Sequence, residues 1–172
     1  MKNLFKIIMV LAAMLFIGES VFAQASAQAV ASATIITPIS IVKNVDMNFG
    51  NVAVTTVAGT VIMTPAGARS TTGGVTLPVT TGTVTAASFT VSGQGNYTYA
   101  ITLPSVDLTI TKVPGPETMT VNTFTSTPTP TGTLSAGGTQ TLTVGATLIV
   151  GATQAAGTYT NSPGFTVTVN YN

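Results

Sequence analysis

The chain has no cysteine, no histidine and no tryptophan, and only 5% of its residues are charged. Each absence closes off chemistry. Histidine is the usual general base and a member of most serine and cysteine triads, so those sites cannot be built. The lack of cysteine removes thiol nucleophiles, thiolate metal sites and disulfides. Without tryptophan, an aromatic platform for sugars would rest on Tyr97, Tyr99 and Tyr159, and the first two share an alternating face with Ile101 and Leu103.

Charge is balanced as well as scarce. Lys2, Lys6 and Glu19 lie near the start, and the rest of the chain sets Lys43, Arg69 and Lys112 against Asp46, Asp107 and Glu117. Nucleic acid binding needs clustered lysine and arginine on phosphates, and anionic membranes need a basic patch, so neither is an expected partner. The three later acids are far apart and read as solvated carboxylates at turns or strand ends. A glycosidase pair or a calcium loop would need acids converging on one place. Gly93-Gln94-Gly95 is followed by neither a lysine nor a helix and matches no phosphate loop. Asn96-Tyr97-Thr98 fits the N-glycosylation pattern but reads more simply as a turn leading into a strand. The expectation is a chain that is not an enzyme and holds no metal or cofactor.

What is present begins with a leader. Lys2 and Lys6 precede the apolar run IIMVLAAMLFIG at residues 7–18, and a polar break leads into the small-residue stretch VFAQA. That order is a secretory signal peptide over residues 1–23, with cleavage fitting after Ala23 or Ala25. An apolar run of about a dozen residues falls short of the roughly 20 that a membrane-spanning helix needs. The expected location is therefore secreted, periplasmic or at the cell surface, with no membrane span in the mature chain. Residues 24–172 then make one domain.

Apolar and polar residues alternate in short runs through that domain, the period of half-buried strands. Phe165, Val167, Val169 and Tyr171 share one face, and so do Leu142, Val144, Ala146, Leu148 and Val150. Phe89 and Val91 form another run, and Tyr97, Tyr99, Ile101 and Leu103 follow it, with residues 93–96 between them reading as a hairpin turn. Weaker runs cover residues 47–54, 61–63, 75–79, 106–110 and 119–124. Residues 64–67, 72–74, 114–116 and 135–138 punctuate them as turns, and residues 126–132, STPTPTG, read as a long surface loop. Phe49, Phe89, Phe124 and Phe165 fit strand faces and read as core. No stretch has a helical period. The expected fold is all-β, a sandwich or barrel of about eight to ten short strands.

The N-terminal segment, residues 24–41, is unusual. Every odd position from Ala25 to Ile41 is apolar except Thr37. Fully extended, the run would span roughly 56 Å against roughly 17–20 Å for an ordinary strand. Either Pro38 breaks it into two strands, since proline cannot donate to a ladder, or its first part reaches beyond its own domain. In the second case Ala27, Ala29, Ala31, Ala33 and Ile35 would face the sheet of a neighbouring subunit as an added strand.

The blocks ATIITPISI, DMNFGNV, SFTVSGQGNYTYAITLP, GTLSAGGTQTLTVGATL and AAGTYTNSPGFTVTVNYN, in that order, resemble the bacterial secreted domain-of-unknown-function family forty-four-oh-two. More distantly, Phe49-Gly50, AGTYT and the penultimate Tyr171 are similar to chaperone–usher pilins and the spore-coat-protein-U group. That resemblance implies an immunoglobulin-like, pilin-like sandwich lacking one strand, an N-terminal donor arm, and a C-terminal strand through Phe165, Val167, Val169 and Tyr171. A periplasmic chaperone or a partner strand would recognise that strand. The chain departs from pilins in having no disulfide and in carrying alanines where their arms carry bulky residues. The expected function is an exported structural subunit of the bacterial surface, a fimbria-like homopolymer. The alternative is a monomeric secreted adhesin or carbohydrate-binding module.

Overall fold

The computed structural model describes residues 24–172, together with Asn3 and Met9. The signal peptide read over residues 1–23 lies otherwise outside the described residues. The chain divides into two units, one ending at Ile35 and one comprising Ile36–Asn172. In the first, residues 24–35 form neither strand nor helix, and each is exposed.

The second unit is all-β, with eleven strands among the described residues. They are β1 (Ser40–Val45), β2 (Ala53–Met63), β3 (Arg69–Thr76), β4 (Ala87–Ser92), β5 (Thr98–Thr102) and β6 (Leu108–Val113), followed by β7 (Thr118–Thr127), β8 (Thr131–Thr133), β9 (Thr139–Val150), β10 (Thr158–Thr160) and β11 (Thr168–Tyr171). Valine, isoleucine and threonine dominate them, residues whose branched Cβ suits a pleated surface. Every ladder is antiparallel. The larger sheet runs β1-β4-β9-β7-β6-β10, with the β2–β3 hairpin branching from β9, and the smaller runs β11-β5-β8.

β9 is the axis of this arrangement. Along one edge its first half, Thr139 to Val144, pairs with β4, and its second half, Thr147 to Val150, pairs with β2. Its other edge runs with β7. The even-numbered residues read as one face, Leu142, Val144, Ala146, Leu148 and Val150, are all at most 3% exposed. The first two join a cluster with Phe89, Val91, Tyr99, Leu134, Val167 and Val169. The last three join a second cluster with Val61, Val75 and Val121. Met47 and Phe124 pack against both.

β7 shows why one run was weak in the sequence. Val121 pairs with Leu148 and Thr125 with Gly145, so β7 spends one more residue than β9 between the same two rungs. The bulge centres on Thr123, whose φ is +49°. A bulge shifts the inward face from odd to even positions. Met119 and Val121 point inward before it, and Phe124 and Ser126 after it.

Four sequence expectations are corrected. The turn at residues 93–96 does not close a hairpin within one sheet. It carries the chain from β4 in the larger sheet to β5 in the smaller. Residues 72–74 are not a turn but lie inside β3, opposite a stretch of β2 that bows out between the Val54–Val75 and Gly59–Gly73 pairs. Most of residues 126–132 is strand, the end of β7 and the start of β8, with only residues 128–130 between them. Finally, of the two readings of residues 25–41, division by Pro38 into two strands does not hold, since residues 24–39 belong to no strand. Pairing begins at Ser40, because Pro38 has no N–H to donate and the backbone polar groups of Thr37 bond to side chains.

Candidate functional site

Two of the free strand edges around the first cluster come from β1 and β11. β1 pairs only with β4, and β11 only with β5. The registers fix their relative direction. Ser40 pairs with Ser92 and Tyr171 with Tyr99, and residues 93–97 join β4 to β5. The start of β1 and the end of β11 therefore meet at one end, and the two strands run in opposite directions. Their outward N–H and C=O groups are a template for an added strand.

The C-terminal residues read as one face are on one face. Val167 and Val169 are each 8% exposed within the first cluster. Phe165 packs edge-on to Phe89, with centroids 6.4 Å apart, and against Phe124 at 5.0 Å. Tyr171 stands edge-on to Tyr97 at 5.7 Å. Of the proposed arm residues, Ala27, Ala29, Ala31, Ala33 and Ile35 are all exposed and belong to no strand. Further along the same alternating series, Ile39 and Ile41 pack against the first cluster.

Where β1 begins and β11 ends, three residues are tied together. The Tyr171 hydroxyl donates to the carbonyl oxygen of Thr37 at 2.8 Å and accepts from the Gln94 backbone N–H at 2.6 Å. The Gln94 side-chain oxygen accepts in turn from the Thr37 N–H at 3.3 Å. Gly93 makes room for this, since a Cβ there would stand 2.2 Å from the Tyr171 hydroxyl oxygen. Sequence reasoning missed Thr37, Gln94 and Gly93. The available signal was that Thr37 is the one polar residue in the odd-numbered series.

The remaining polar groups are dispersed. Lys43 pairs with Asp46 at 2.6 Å on the surface, and Lys112 with Glu117 at 3.5 Å. Arg69 donates to the carbonyls of Phe49 and Asn51, holding the loop before β2. No group of three or more acids, histidines or cysteines converges among the described residues. Of the tyrosines considered for sugar stacking, Tyr99 is fully buried and donates to the Gln140 side-chain oxygen at 2.8 Å. Tyr159 donates to the Ala155 carbonyl at 2.7 Å and accepts from Gln154 at 2.8 Å. Tyr97 is 44% exposed. Burial pushes the Tyr99 phenol above its ordinary range. An open cleft of about 350 Å³ lies between residues 103–108 and residues 164–166, with Leu103, Leu108 and Phe165 on its walls. No described helix is long and apolar enough to cross a membrane.

The family described as Domain of unknown function (DUF4402) matches residues 39–171. The chain belongs to this family. The matched stretch runs from the residue after Pro38 to Tyr171, so it takes in β1, β11 and everything between, while residues 24–38 lie outside it. No curated protein and no solved structure gives a significant match.

Proposed function

We propose that this family member is an exported structural subunit of the bacterial cell surface, assembled into a fibre by N-terminal strand addition. On this reading the β11-β5-β8 sheet and the β1-β4-β9 part of the larger sheet form an immunoglobulin-like, pilin-like sandwich that lacks one strand. Residues 24–36 of one copy lie along the open edges of β1 and β11 in the next. The carrying observation is the pair of unpartnered, oppositely directed edges over the first cluster, in a chain that also has an alternating segment outside the strands. Backbone hydrogen bonds would supply most of the hold, because alanine buries little apolar area at about 25 cal/mol per Å². A periplasmic chaperone would cover the same edges before assembly. Scarce charge favours self-association.

Deleting residues 24–36 tests the reading. Assembly, followed by electron microscopy and native gels, is expected to stop while the β domain stays folded. Unchanged oligomers, or a strictly monomeric parent chain, would remove the arm from the mechanism.

A further inference from the structure

A strand that seats itself between β1 and β11 must run through the end of the gap where Thr37, Gln94 and Tyr171 meet. We infer that these three residues form a releasable clasp that hinders an incoming strand of a second copy; the inference rests on the strand-addition reading above. Thr37 is held by side chains instead of a ladder. Its carbonyl takes the Tyr171 hydroxyl at 2.8 Å and its N–H reaches Gln94 at 3.3 Å. Pro38, next along, has no N–H, so this stretch cannot pair with β11 as a regular strand.

The clasp is suited to release. It is made of neutral hydrogen bonds, and Thr37 is exposed. The Tyr171 ring keeps an independent seat, edge-on to Tyr97 at 5.7 Å and against the first cluster. Letting go of Thr37 therefore leaves the β11–β5 pairing intact. An incoming strand would replace the bonds to Thr37 with several ladder bonds along the two edges. Tyr171 thus does two things: its ring closes the core, and its hydroxyl holds the segment ahead of β1 across the gap.

Tyr171→Phe in the full chain keeps the ring and removes the hydroxyl, and Gln94→Ala removes the acceptor for the Thr37 N–H. Hydrogen exchange at the Thr37 amide is expected to quicken about two- to tenfold in either variant, the range for losing one neutral hydrogen bond. Amides of β9 should stay unchanged, which separates a local release from general destabilisation. Uptake of a labelled peptide of residues 24–36 is expected to quicken in parallel. Unchanged Thr37 exchange in both variants would overturn the clasp. Faster exchange with peptide uptake no faster than in the parent would overturn its role as a barrier and leave strand addition standing. Failure of the parent and both variants to take up peptide or to assemble would sink the strand-addition reading, and the barrier with it.

Discussion

The backbone of Gly145 lies so close to the end of β2 that a Cβ there would stand 2.2 Å from the carbonyl oxygen of Met63. Gly145 sits where the edge of β9 passes from β4 to β2, between the Val144–Ala87 and Thr147–Ile62 pairs. The contact is with backbone on both sides, so neither can yield by a rotamer change. Gly145→Ala is expected to cost about 1–3 kcal/mol, the range for overpacking that forces a backbone shift. Urea denaturation measures it, and a loss below about 1 kcal/mol would mean that β2 can move away freely.

Thr123 makes the opposite prediction. A β-branched residue at φ +49° pays for a left-handed conformation that asparagine and glycine adopt more readily. Its side chain is exposed and donates only to the neighbouring Asn122 side chain at 3.2 Å. Thr123→Asn is expected to raise stability by up to about 1 kcal/mol, seen as a higher thermal midpoint.

The Tyr99 phenol gives a pH dependence with a definite sign. Burial raises its pKa in the folded protein, while in the unfolded chain it titrates near 10. Above pH 10 the unfolded chain loses this proton before the folded one does, so stability falls as pH rises through the interval between the two values. Below pH 10 the phenol contributes no slope. Tyr99→Phe should remove this alkaline slope from a series of thermal midpoints between pH 8 and 12. It should also lower stability near neutrality by about 1–3 kcal/mol, because Gln140 loses its donor. A slope equally steep in the variant would assign the effect to other groups.

Two leucines on β9 test the core. Leu142 is wholly buried in the first cluster and Leu148 is 3% exposed in the second. Replacing either by alanine is expected to cost about 2–5 kcal/mol. Calorimetry should show a single transition in both variants. Two separated transitions in either would show that the clusters melt independently.

Much of the fold was legible because period 2 survives wherever a strand is regular. The inward residues of β9 and β11 could be read directly, and Tyr99 and Ile101 of β5 likewise. The all-β class and the family followed from the same residues. Legibility failed where one residue more or less changes the geometry. The bulge at Thr123 switches the inward face of β7 and blurs its pattern. Residues 93–96 look like a hairpin turn in sequence, since no local signal says that the next strand joins a different sheet. At the candidate site, the C-terminal face was visible as alternation, but the tie between Tyr171 and Thr37 spans 134 positions and is made by single atoms. Nothing periodic announces such a contact. Only the break in the odd-numbered series at Thr37 hinted that this residue is used differently from its neighbours.

The placement of β9 has a thermal consequence. One strand supplies a wall to both apolar chambers and lends its flanks to three neighbours, so no boundary exists along which half of the body could come apart by itself. Such a body should hold its full shape up to one temperature and then lose all of it. That leaves no half-open form for proteases or stray partners to find.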